Sequence, residues 1–284
     1  ATLTATTLTN ADLTGADLTG AHLDGATLTG ATLTGVISGG ITGPPASLPT
    51  DWRFVDGYLI GPNADLYNAD LTGADLTGAN LSGANLTGAT LTGANLTGAA
   101  LTDATLTGAT LAGATLTDVQ SGGITGPPAS LPTDYQFING FLIGPSVQLA
   151  GWDLTGLDLA DMDLTGAILT YANFDQATLT ATNLSGANLK GATLTGADLT
   201  GATLAGADLE GATLTSVQSG GITGTPSHLP ANWQLIDGYL VGPGANLTSA
   251  NLRNADLTNT NLAGADLTGA TPVSYTHLTL PTTD

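Results

Sequence analysis

The chain has 284 residues, no cysteine, and 23 acidic side chains against three basic ones, for a formal net charge of −20. The missing cysteines exclude disulfides and thiolate metal sites. So acidic a surface repels nucleic acid and anionic membranes and attracts basic partners or cations, and no apolar run approaches transmembrane length.

The chain opens on seven pentads centred on Leu3 to Leu33, most reading Ala, then Asp or Thr, then Leu-Thr-Gly or a close variant, with Thr6 and His22 as exceptions. Eleven more run from Leu66 to Leu116, fourteen from Leu149 to Leu214 and five from Leu247 to Leu267, with Phe174 the one centre that is not leucine. In an α-helix a step of five turns about 140°, so the leucines spiral round every face and bury none. In an unbroken strand five is odd, and successive leucines alternate between faces. Only a corner in each pentad returns every Ala-x-Leu unit to one side, and Gly, Asn or Asp at most of the last positions supplies the turn chemistry. The period therefore predicts an all-β solenoid.

Segments such as Ala69-Asp70-Leu71-Thr72-Gly73 and Ala187-Asn188-Leu189-Lys190-Gly191 resemble the pentapeptide-repeat family. The resemblance implies a right-handed, quadrilateral parallel β-helix with one pentad per side and a coil of four pentads. It also implies that leucine and the small alanine point inward while the other three positions face out. We expect one β-helical domain over residues 1–271.

Three cassettes interrupt the pentads: Val36–Asn63, Val119–Ser146 and Val217–Gly244, with 14 of 28 positions identical in all three. Their common text is V-x-SGGITG-x-P-x-x-LP, an aromatic-rich stretch, then G-x-L-x-GP. Asp56-Gly57, Asn139-Gly140 and Asp237-Gly238, each flanked by apolar residues, predict three β-hairpins on two-residue type I′ turns. That register pairs Val55 with Tyr58 and Phe54 with Leu59. Both faces of each hairpin are apolar, so packing of one face on the β-helix and of the Pro-rich segment on the other is the first expectation. Eight of the 13 aromatic residues lie in these cassettes, and an exposed aromatic patch is the functional alternative. Its candidate interaction residues are Trp52, Phe54, Tyr58, Tyr135, Phe137, Phe141, Trp233 and Tyr239. Eleven and fourteen pentads separate successive cassettes, so in a four-sided coil all three cannot share one edge.

Alanine fills the inner position in 30 of 37 pentads, yet Val147, Trp152, Leu157 and Met162 hold it on four successive sides. This predicts a swollen coil that seats the second cassette, with Trp152 as a further interaction candidate. From Pro272 onward the repeat stops, and residues 272–284 resemble the in-frame translation of a sequencing-library adapter. They are read as a non-native tail, and the chain as a fragment truncated at both ends.

No residues assemble into a catalytic or metal-binding pattern: His22 is outward, His228 sits in a cassette and His277 in the tail. The outward aspartates stand in water and are poor acid–base candidates. Asn-Leu-Thr and Asn-Leu-Ser sequons, as at Asn95 and Asn183, arise automatically from the repeat. The expectation is a non-enzymatic structural or surface-interaction scaffold without cofactor, binding a protein or glycan, with neither nucleic-acid binding nor membrane insertion. Scarce Lys and Arg, no Cys and a Thr/Asn/Asp-rich exterior favour a secreted or cell-surface setting. The alternative drawn from the resemblance is an acidic DNA mimic that binds gyrase or another DNA-binding protein. The pentads carry roughly one net charge per 2.8 Å of axis against about one per 1.7 Å in B-DNA. A Thr-rich ice- or crystal-binding surface ranks last, because the Thr-x-Thr rows do not persist from coil to coil.

Overall fold

The structure is a computed structural model that describes residues 1–271; the tail reading of residues 272–284 lies outside the described residues. Two compact units divide the chain, Ala1–Gln148 and Leu149–Asp284. Each is a parallel β-helix. Outward residues of successive coils form parallel bridges twenty positions apart, as in Asp65–Asn85–Thr105–Thr125 of the first unit and Asp153–Asn173–Thr193–Thr213 of the second. Four such ladders per unit give four walls, one pentad per wall.

The pentad Ala94–Gly98 shows why the repeat takes this shape. The Ala94 N–H donates to the Leu91 carbonyl at 3.0 Å, closing the corner, while the Asn95 N–H reaches Ala74 one coil back at 2.9 Å. The Leu96 and Gly98 N–H groups reach Thr115 and Thr117 one coil on, at 2.9 and 2.8 Å. That leaves the Thr97 N–H, and the Asn95 side-chain oxygen accepts it at 3.1 Å. All five donors of the pentad are paired, which a solenoid core demands. Asp or Asn at the second position is thus a cap for the fourth residue's amide. At the corner only the residue before alanine has positive φ, for example Gly93 at 67°, which is the geometry of a type II turn.

Inside, the centres stack as the sequence predicts: Leu71, Leu91 and Leu111 are about 1% exposed or less, and the intervening alanines are equally buried. Inner-position Thr182 is also fully buried, and its hydroxyl donates to the Leu159 carbonyl at 2.7 Å. At the start of the second unit the enlarged inner residues keep the corner bond of the repeat, close to the range of the alanine corners, which reach 3.2 Å at Ala64 and Ala255. The Trp152, Leu157 and Met162 N–H distances are 3.3, 3.2 and 3.2 Å, against 3.0 Å at Ala167. The wall bonds from Asn173 and Thr178 back to Trp152 and Leu157 hold at 2.9 Å. Both the corners and the ladders of the repeat therefore persist around the enlarged residues.

The predicted hairpins are present. In the first unit β1 (Arg53–Val55) pairs with β2 (Tyr58–Ile60), and β3 (Gln136–Ile138) with β4 (Phe141–Ile143). In the second unit β5 (Gln234–Ile236) pairs with β6 (Tyr239–Val241). The register sets Val55 opposite Tyr58 and Phe54 opposite Leu59. Both turn residues have positive φ, 47° at Asp56 and 82° at Gly57, as a type I′ turn requires.

Candidate interaction surface of the cassettes

Each cassette forms one whole coil. Ile37 bridges Asp65, Gln120 bridges Gln148 and Gln218 bridges Asn246, so the coil grows from 20 to 28 residues without leaving the four-sided frame. In the first cassette Ile37, Thr42 and Ser47 bridge Asp17, His22 and Thr27 on three walls, and the hairpin takes the fourth. The ladder through Ile37, Asp65, Asn85 and Thr105 ends on Thr125, the second side of the second cassette rather than its first. The second hairpin therefore stands on the wall next to that of the first. Within this unit the two cassettes do not share an edge, an offset the pentad count permits but does not by itself impose.

The shared residues of the cassette are those that dock the hairpin. The Leu59 N–H donates to the buried Ser38 hydroxyl at 3.0 Å, and Leu142–Ser121 and Leu240–Ser219 repeat this bond at 3.2 and 2.9 Å. At the tip the Gly57 carbonyl accepts the Ile41 N–H at 3.0 Å, repeated at Gly140–Ile124 and Gly238–Ile222 with 3.1 and 3.0 Å. A Cβ on Gly57 stands 3.3 Å from the Gly40 and Ile41 nitrogens, so glycine serves both the turn and the close approach. The SGGITG segment is a receiving edge for the hairpin.

The candidate aromatics fall into two roles. Trp52, Tyr135 and Trp233 lie as lids across Gly61, Gly144 and Gly242, where a Cβ would come within 2.2–2.3 Å of the ring. The Tyr135 hydroxyl also donates to the Pro145 carbonyl at 2.7 Å. Tyr58 and Tyr239 lie 3.0 Å from the Cβ positions of Gly39 and Gly220. Their hydroxyls accept the Asp70 and Asn251 N–H groups at 3.1 and 3.0 Å. Phe54 and Phe137 are half-buried, Phe141 and Trp233 are buried, and Trp152 is half-buried in the second unit. Most of the aromatic area is spent on packing.

Among the described residues the most exposed aromatics are instead Tyr67 at 61% and Tyr171 at 76%. Both occupy corner positions of pentads, which the repeat turns outward, so their register in the sequence marks them. Tyr171 holds the corner with φ of 57° and lies over Gly191, whose Cβ would stand 2.5 Å from the ring.

Charge on the walls is dispersed. Among the described residues no bridge places one aspartate on another; Asp65, Asp75 and Asp163 stack on Asn85, Asn95 and Asn183, and Asp70, Asp158 and Asp198 stack on Thr or Gln. Hydrogen bonds from the Thr14 hydroxyl and N–H hold the Asp12 carboxyl below its ordinary range, and Thr72 and Thr155 do the same for Asp70 and Asp153. Lys190 bridges Asp208 and Glu210 at 3.3 and 2.9 Å, which raises the ammonium pKa, Glu210 contributing most. His228 approaches Asp208 at 3.3 Å. Threonine ladders are short, as in the Thr105–Thr125 and Thr203–Thr223 hydroxyl pairs at 2.9 and 3.0 Å. Among the described residues no helix is long and apolar enough to cross a membrane.

The family model for pentapeptide repeats matches residues 1–35, 64–99, 79–118, 146–180, 179–215 and 244–271. The chain belongs to the pentapeptide-repeat family. The gaps between those matches coincide, to within a residue, with the three cassettes, which are additions to the family's repeat. Among solved pentapeptide-repeat structures, HetL of the cyanobacterium Nostoc sp., involved in heterocyst differentiation regulation, shares 29% identity over 95% of this chain and 88% of that chain, with a TM-score of 0.28. A protein of the Arabidopsis thaliana thylakoid lumen shares 30% over 39% of this chain and 70% of that chain, at 0.30. QnrB1, a plasmid-mediated fluoroquinolone resistance protein, shares 15% over 74% and 91%, at 0.32. These TM-scores carry no argument about function. No curated protein matches the chain.

Proposed function

We propose that this pentapeptide-repeat chain is a non-catalytic scaffold, secreted or at the cell surface, whose walls and cassettes bind a protein or glycan partner. The observation that supports this reading is the repeated docking of each hairpin through Ser38–Leu59, Ser121–Leu142 and Ser219–Leu240. Fixed by these bonds, Phe54 and Phe137 stay half-exposed on adjacent walls as rigid apolar contacts. A glycan array probed with the labelled full chain tests it, beside a Phe54→Ala/Phe137→Ala variant. Binding that the variant loses supports the reading; binding that the variant keeps in full contradicts the role given to the cassettes.

The second reading, a DNA mimic acting on gyrase, draws on the net charge of −20. Its weakness is the dispersed charge, since among the described residues no bridge stacks aspartate directly on aspartate. A phosphate-like track needs closely successive charges. The scaffold reading predicts no complex with purified gyrase at low salt, and a tight complex that weakens as salt rises would favour the mimic.

A further inference from the structure

The second unit contains a cleft of about 320 Å³ between the third hairpin tip and the following pentad, lined by Gly221, Asp237, Tyr239, Asn251, Arg253 and Asn254. Its size lies at the small end of ligand pockets, which run about 300–1,000 Å³. Three bonds fix its walls before any ligand arrives: Ser219 to Leu240 at 2.9 Å, Gly238 to Ile222 at 3.0 Å, and the Tyr239 hydroxyl to the Asn251 N–H at 3.0 Å.

The corresponding place beside the first hairpin has Gly40, Asp56, Tyr58, Asp70, Thr72 and Gly73. The hairpin side is unchanged in type, but the pentad side differs at every position. Asp70 gives way to Asn251, Thr72 to Arg253 and Gly73 to Asn254, so two carboxylates and no cation become one carboxylate and one guanidinium. The chain has three Lys and Arg residues in all. Arg53 is engaged with the Thr77 and Gly78 carbonyls, and Lys190 with two carboxylates. Among the described residues the Arg253 guanidinium makes no ion pair, although Asp237 lines the same cleft.

We propose that this cleft binds a small monoanionic sugar acid of the hexuronate class. Arg253 offers a planar fork of donors that matches a carboxylate in two parallel bonds. Asp237 and the Asn254 amide offer acceptors and donors for ring hydroxyls, and Asn251, whose side-chain oxygen accepts the Arg253 N–H at 3.4 Å and the Thr271 hydroxyl at 3.1 Å, offers its amide NH2 as a donor. Asp237 also sets the sign of the selectivity, because a doubly charged phosphate beside it is repelled whereas a single carboxylate with several hydroxyls is matched. The corresponding residues beside the first hairpin, two aspartates and no cation, do not match the same ligand.

The test is an NMR titration of the intact chain with sodium galacturonate, following the Gly221 and Gly238 amides and the Asn251 and Asn254 side chains. Galactose, inorganic phosphate and digalacturonate serve as comparisons. The expected result is saturable shifts with galacturonate, at least tenfold weaker with galactose and with phosphate. Arg253→Gln weakens galacturonate at least tenfold while Arg253→Lys retains part of it, with unchanged resonances elsewhere showing that both variants fold. Asp70→Asn/Thr72→Arg at the corresponding place beside the first hairpin confers binding there. Digalacturonate binding more tightly than the monomer points to a polymer end as source, and equal or weaker binding to the free acid; both agree with the proposal. Phosphate or galactose matching galacturonate, an unaffected Arg253→Gln, or equal shifts at Gly40 and Gly57 in the unaltered chain would each overturn it.

Discussion

Ser121 and Leu142 exchange two hydrogen bonds across 21 residues: the Leu142 N–H donates to the Ser121 hydroxyl at 3.2 Å, and that hydroxyl donates to the Leu142 carbonyl at 3.3 Å. Ser121 has no exposed surface. It fastens the second hairpin to the receiving edge, and Ser38 and Ser219 occupy the same place in the other cassettes.

Ser121→Ala leaves the Leu142 amide and carbonyl without that partner in a site closed to water. We expect a loss of about 1–3 kcal/mol, read by urea denaturation, together with faster hydrogen exchange at the Leu142 amide. An unchanged midpoint and unchanged exchange would show that the hairpin is held by apolar packing alone.

Replacing Leu91 by Ala opens a cavity in a stack that has no slack on either side, and should cost about 2–5 kcal/mol. The outward Thr92, one residue on, should tolerate Ala within about 0.5 kcal/mol. Comparable effects at both sites would argue against the inside–outside alternation of the pentad.

Glycines at the two kinds of turn should respond differently. Gly73 has φ of 68° and no atom within 4 Å of a Cβ, so Gly73→Ala meets only the left-handed penalty, about 1–2 kcal/mol. Gly57→Ala adds contacts at 3.3 Å with the backbone of Gly40 and Ile41 and should be the more damaging of the two. Thermal melts of both variants check the order, which reverses if the hairpin tip does not sit on SGGITG.

Much of this was legible in advance, because the pentad is a local pattern that repeats. Leu71, Leu91 and Leu111 announce their stacking through spacing alone, and Asp56-Gly57 announces its turn and register. The role of SGGITG was not legible, since Ser38 meets Leu59 only after the chain has passed three walls. Nor does the sequence show that a cassette fills a whole coil, which depends on the Ile37–Asp65 bridge. Tyr67 and Tyr171 lie apart from the clustered aromatics of the cassettes, and only their corner positions in the pentad mark them as outward. The Arg253 cleft emerges only when the pentads after the first and third hairpins are superposed on a common geometry.

The acidic walls give a signed pH dependence. The carboxyls of Asp12, Asp70, Asp75 and Asp153 are held below their ordinary value of 3.8 by the hydroxyl and N–H of the threonine two residues on. A folded pKa below the unfolded one stabilises the fold above the unfolded value, and that contribution is lost as pH falls through the folded value. Asparagine keeps the accepting oxygen, as Asn95 shows toward Thr97 at 3.1 Å. Asp70→Asn should therefore remove the local pH dependence while preserving the corner, whereas Asp70→Ala removes both. Carboxyl titration by NMR should find the Asp70 midpoint below that of an unstructured aspartate; a midpoint at or above it contradicts the cap.

The central claim, that each cassette is a full 28-residue coil set into a four-sided wall, is tested most directly by paired cysteines in a chain that has none of its own. Ile37 and Asp65 face each other across a parallel bridge, a separation of about 4.8 Å that falls within disulfide reach. Under mild oxidation the Ile37→Cys/Asp65→Cys variant should close an intramolecular disulfide, found by peptide mapping, as should the ordinary twenty-residue pair Asp65→Cys/Asn85→Cys. The pair Ile37→Cys/Gly57→Cys, twenty residues apart through the cassette, should stay reduced. Efficient closure of the 37–57 pair with none at 37–65 would mean that the cassette loops out of a twenty-residue coil, contradicting the account.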